Sequence, residues 1–174
     1  MSHRVLIIAY GNPLRSDDGF GWRAAELLHP KAQQFDAEIL CVYQLTPELA
    51  ATASTAQLLL FIDAACNGQP GQIVCTAVMP HAEPPRFSHQ LAPEQIVAYC
   101  GELYQACPRA YAISVTGESF AHGEGLTALV SAALPACVSI AEELMRRHLE
   151  PARAVTQTEA WHVIHCENRE AEVW

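Results

Sequence analysis

Val5-Leu6-Ile7-Ile8-Ala9-Tyr10, running straight into Gly11-Asn12-Pro13-Leu14-Arg15-Ser16-Asp17-Asp18-Gly19-Phe20-Gly21, decides the fold. A continuous apolar run without alternation reads as a strand buried on both faces, the pattern of a parallel sheet covered by helices. The polar stretch behind it is a loop. Gly19–His29 then carries Phe20, Ala24, Leu27 and Leu28 at helical spacing and is expected to end before Pro30.

The same alternation continues. Glu38–Val42 reads as a short strand, and Thr46-Pro47-Glu48-Leu49 as a helix start with Thr46 as cap and Pro47 in the first position. Leu58–Ile62 is a second fully apolar strand, ended by Asp63, and Gln72–Val78 is another strand. Pro80–Pro93 is a Pro- and His-rich loop; Pro93–Gln105 is helical, with Ile96, Val97, Cys100, Leu103 and Tyr104 at helical spacing. Ala110–Val115 is a further strand, and Leu126–Leu149 a long helix containing Pro135. Buried strands alternating with helices define one α/β domain, a mostly parallel sheet with helices on both faces. In such sheets ligands bind beyond the carboxyl ends of the strands. That rule directs attention to Asn12–Asp18, Asp63 and the Thr116–Gly125 loop.

The length of 174 residues fits one domain, large enough to fold without disulfides or structural metal. Ten Lys and Arg against 19 Asp and Glu give a net charge of −9, which speaks against binding nucleic acid or an anionic membrane electrostatically. The one dense basic cluster, Arg146-Arg147-His148, falls near a helix end, where cations favour the dipole. No uninterrupted apolar run reaches the roughly 18 residues of a membrane span, and the N-terminal run is too short for a signal peptide. A cytoplasmic location is therefore expected. Seven cysteines, an odd number without a repeated CxxC, are expected to be mostly buried thiols.

Four constellations carry possible chemistry. In the Gly11–Gly21 loop, Asn12-Pro13 interrupts a dinucleotide fingerprint, and the Lys of a phosphate loop is absent. Adjacent Asp17 and Asp18 would repel a phosphate and suit a cation; a helix cap accounts for only one of them. Asp63 closes a buried strand, where a carboxylate is either paired, metal-bound or bonded to a turn. His89, in Ser88-His89-Gln90-Leu91, is a metal ligand, an acid/base or a solvated loop residue, with His81, Glu83 and His122 as alternatives of the same kind. The tail Trp161-His162-Val163-Ile164-His165-Cys166 holds metal-ligand types, but a strand would place His162 and His165 on opposite faces. Cys66 is either a soft ligand or nucleophile, or a small buried thiol. Asp18, Asp63 and His89 together would form an open carboxylate–imidazole site for a divalent ion.

The ordered set of Gly11–Gly21, Ile62-Asp63-Ala64, His89-Gln90-Leu91, Gly117-Glu118-Ser119 and Gly125-Leu126-Thr127 resembles the nickel–iron hydrogenase maturation endopeptidases, over about residues 4–149. The resemblance implies a twisted five-stranded sheet between helices, with residues 1–150 as the domain and 151–174 as a C-terminal extension. It implies removal of a C-terminal peptide from a hydrogenase large-subunit precursor after nickel insertion. The family's metal-contacting carboxylates align with Asp18 and Asp63, and its histidine with His89. Nickel would arrive with the precursor and not reside in the enzyme, and Asp17 would serve as general base toward water. Some members carry an Asp after the second strand, where this chain has Cys41-Val42-Tyr43-Gln44. Two other readings suit the same residues: a small metal-dependent peptidase or amidase, and a non-catalytic nickel-handling chaperone.

Overall fold

The computed structural model describes residues 5–80 and 91–149. Its single sheet has five strands: β1 (Val5–Tyr10), β2 (Ala37–Val42), β3 (Leu58–Ala65), β4 (Ile73–Ala77) and β5 (Arg109–Thr116). Their spatial order is β2-β1-β3-β5-β4, with β4 alone antiparallel to its neighbour. The mostly parallel α/β fold read from the sequence is therefore present.

Alternate residues of each strand feed two cores. Val5, Ile7, Leu58, Leu60, Ile62 and Ile113 pack beneath α1 (Phe20–Ala32) and α4 (Ala128–Leu149). Leu6, Ile8, Leu59, Phe61 and Ala110 pack on the other face beneath α2 (Leu49–Ala53) and α3 (Pro93–Tyr104). Central strands buried on both faces are why β1 and β3 read as unbroken apolar runs. Lys31 of α1 pairs with Glu142 of α4 across the first helical layer.

Several details differ from the expectation. Helix α1 runs through Pro30 to Ala32. The proline removes one N–H from the helix, but Glu26, whose carbonyl would have accepted it, lies on the exposed face where water can replace the bond. Thr46 does not cap α2; the Thr46 and Pro47 carbonyls accept from Leu49 and Ala50, and the helix proper begins at Leu49. Asp63 lies inside β3, not at its end, because the strand continues to Ala65 against β5. Helix α4 has 22 residues, and an 18-residue window of it, with mean hydropathy 1.5, is long and apolar enough to cross a membrane. Its Val130, Ala133, Cys137, Ala141 and Met145 are instead part of the core, and an apolar core helix meets the same criterion. Of the six described cysteines only Cys100 and Cys137 are buried; Cys41, on an edge strand, and Cys66 and Cys107, in loops, are exposed.

Strand β1 connects outward to β2 on one side, while β3 lies on the other. The crevice between such oppositely directed connections opens at the carboxyl ends of β1 and β3. Gly21 keeps α1 against this point: a Cβ there would lie 2.5 Å from the Ile62 carbonyl oxygen.

Candidate functional site

Asp18 and Asp63 meet in a cleft of about 310 Å³ at this end of the sheet. Tyr10, Arg15, Cys66, Leu91 and Phe120 share its wall, as do Tyr43, Gln44 and Leu45 after β2. Asp18 comes from the 3-10 turn Ser16–Gly19. Its Oδ2 accepts from the Asn12 N–H at 2.9 Å. Gly11 makes that approach possible at φ +130, where a Cβ would stand 2.0 Å from the Asp18 carbonyl oxygen.

Asp63 is held by hydroxyls from both neighbouring strands. The sheet register places Ser114 directly beside it, and Ser114 Oγ donates to Oδ1. Tyr10, one position beyond the Ala9–Ile62 pair, donates its hydroxyl to Oδ2 at 2.8 Å. Burial pushes the Asp63 carboxyl above its ordinary value; the two hydroxyls oppose this, and the charges of Asp18 and Glu94 add to it. Burial likewise raises the Tyr10 phenol, helped by the Asp63 charge, so Tyr10 remains a donor. Each oxygen of Asp63 accepts one of these bonds and keeps a lone pair for a cation.

Asp17 does not line the cleft. Its side chain is fully buried, and its Oδ2 accepts from the N–H groups of Glu118 and Ser119 at 2.8 and 2.9 Å. Thr127 donates its N–H to Oδ1 at 2.7 Å and its hydroxyl to Oδ2 at 3.0 Å. Desolvation alone would raise this carboxyl, but these bonds outweigh it and hold it below the ordinary range. Asp17, expected as a general base, is here held as a clamp: four donors occupy its carboxylate, and it is not among the residues that line the cleft. The clamp explains the spaced motif, because Gly117-Glu118-Ser119 and Gly125-Leu126-Thr127 converge on this one group. Backbone bonds from Ser16 N–H to Gly123 O at 2.8 Å and from Gly123 N–H to Leu14 O at 3.0 Å zip the two loops together.

Cys66, expected as a small buried thiol if not a ligand, is exposed on the cleft wall. His122 is exposed and does not line the cleft. His89, His81 and Glu83 lie outside the described residues, as do His162, His165 and Cys166. The described chain resumes at Leu91, on the cleft wall. Among the described residues, no three His, Cys, Asp or Glu gather closely enough to hold a metal ion by themselves. The sequence reading missed Tyr10 and Ser114, although the register of two apolar strands was the signal that would have placed them beside Asp63.

The fold and cleft define an open α/β domain with an acidic cleft at its switch point. No family model and no curated protein matches the chain by sequence. Solved structures do. The hydrogenase maturating endopeptidase HybD from E. coli is 22% identical, with a TM-score of 0.66, over 83% of this chain and 93% of that one. The [NiFe] hydrogenase maturation protease HycI from Thermococcus kodakarensis is 20% identical, with a TM-score of 0.67, over the same shares, 83% and 93%. HybD from Thermococcus kodakarensis, a [NiFe] hydrogenase maturation protease, is 24% identical, with a TM-score of 0.61, over 82% of this chain and 99% of that one. The chain has the fold of these proteins over nearly their whole length.

Proposed function

We propose that this protein is an endopeptidase that removes the C-terminal peptide of a nickel-loaded [NiFe]-hydrogenase large-subunit precursor. The carrying observation is that Asp18, from the turn after β1, and Asp63, from within β3, line one cleft of a fold shared with hydrogenase maturation endopeptidases.

In this reading nickel is part of the substrate. Asp18 and Asp63 supply carboxylate oxygens, and His89, two residues before the cleft-lining Leu91, supplies an imidazole. Carboxylate and imidazole together suit a divalent first-row ion, and open positions remain for the precursor's own ligands. A precursor without nickel lacks the bridging ion, so recognition depends on loading. Tyr10 and Ser114 orient Asp63 with one hydroxyl on each oxygen, as outer partners orient metal-binding carboxylates generally. The two clustered negative charges repel each other until a cation arrives, which favours the loaded precursor over the empty one. Asp17 holds the loop that carries Asp18 and takes no proton from the attacking water. Where some relatives carry an Asp after β2, this chain has Cys41-Val42-Tyr43-Gln44, without a carboxylate, so no carboxylate step is assigned to that wall.

The test is the intact mass of a cognate nickel-loaded precursor before and after incubation with wild type, Asp18→Asn or Asp63→Asn. Wild type should remove one defined C-terminal piece and both variants should leave the mass unchanged. An unchanged mass with wild type would favour a chaperone, and processing by both variants would remove the cleft from the account.

A further inference from the structure

Resting on that reading, we infer that Arg15 is a substrate-binding residue that grips a peptide oxygen, a carbonyl or a carboxylate, beside the cation held by Asp18 and Asp63. Arg15 is the one Lys or Arg on the described wall of the cleft. It is exposed, and its Nε donates to the Phe120 carbonyl at 3.2 Å. A guanidinium carries five N–H donors, so four remain on the two outer nitrogens. Among the described residues no carboxylate pairs with them, although two line the same cleft.

The backbone is equally fixed. Arg15 bridges to Gly123, its N–H donates to Asn12 O at 3.0 Å, and its carbonyl accepts from the Asp18 N–H at 3.1 Å. An ordinary surface arginine loses side-chain entropy when it binds. Here the backbone and the inner nitrogen are already held while the outer edge is free.

The wall therefore carries two kinds of recognition. Carboxylates receive a cation, and a planar pair of N–H groups receives oxygen. A peptide presented with a bound metal offers both. Arginine serves this better than lysine because its outer edge can engage two lone pairs, or two oxygens, in parallel. The same chemistry fits two sources: the carbonyl at the bond being cut, or a carboxylate elsewhere on the peptide.

The experiment measures kcat and KM for wild type, Arg15→Lys and Arg15→Gln on the nickel-loaded precursor, with Tm recorded for each. Loss of a charge-assisted bond predicts about a 10- to 100-fold fall in kcat/KM for Arg15→Gln, with Arg15→Lys between it and wild type. A fall carried by KM assigns the oxygen to a carboxylate away from the cut; a fall carried by kcat assigns it to the reacting carbonyl. Values within twofold of wild type would overturn the inference. So would equal losses in both variants with a lowered Tm, since both lack the Nε bond to Phe120 and the residue would then only brace the loop. Wild type leaving the precursor uncut would remove the protease reading and this inference with it, whereas wild type and Arg15→Gln cutting alike would remove only the inference.

Discussion

Asp17→Asn separates a clamp from a base. The amide keeps the shape of the side chain and removes its charge. It can place its oxygen where Glu118, Ser119 and the Thr127 hydroxyl converge, but its NH2 then faces the Thr127 N–H. One bond becomes a donor–donor contact and three lose their charge assistance. A stranded buried donor costs about 1–3 kcal/mol, and a charge-assisted bond exceeds a neutral one by roughly 1 kcal/mol. The three weakened bonds share one acceptor and do not add fully, so the total is about 2–4 kcal/mol. At roughly 2–4 °C per kcal/mol for a domain of this size, thermal unfolding followed by circular dichroism at pH 7 should show Tm lowered by about 4–16 °C. The pH dependence follows from the lowered carboxyl. Its contribution is complete above the ordinary value of 3.8 and is lost as pH falls through the lower folded value, so the gap between wild type and variant should close in that acidic window. A Tm within about 1 °C of wild type, together with lost processing, would refute the clamp and restore Asp17 as a base, since a cleft carboxylate contributes little to stability.

Asp63→Asn should do the reverse. The folded-state carboxyl is raised, so its charge opposes folding above that value and the penalty fades as pH falls; Tm at pH 7 should hold or rise while processing stops. A clear drop in Tm would contradict this. Gly21→Ala should lower stability by about 1–3 kcal/mol and weaken processing, because its Cβ must push α1 away from the Ile62 carbonyl and the Tyr10 backbone; denaturant titration reads the change. Thiol labelling followed by peptide mass mapping should modify Cys66 and Cys107 in the native protein. Cys100 and Cys137, buried and pushed up to about 11 and about 12, should stay unmodified until unfolding.

The sheet was legible because burial on both faces removes all alternation from a strand, and β1 and β3 show that directly. The positions of Asp18 and Asp63 were legible because the carboxyl ends of such strands and the loops after them converge at the switch point, although Asp63 itself is still within β3. The division of labour between Asp17 and Asp18 was not, since adjacent carboxylates differ only in which way the turn directs them. Nor were the hydroxyls on Asp63: Tyr10 and Ser114 lie 53 and 51 residues from it in the chain, and only the strand register brings them together. Pro30 misled for a related reason, because an exposed helix end tolerates a lost N–H that a buried one would not.

The central claim is that nickel in the substrate licenses the cut. The most direct measurement compares intact masses of a cognate large-subunit precursor, nickel-loaded and nickel-free, after incubation with the wild-type protein. The account predicts loss of a single C-terminal peptide from the loaded form alone. Equal processing of both forms would contradict the gate, and no processing of a properly loaded cognate precursor would contradict the protease reading itself.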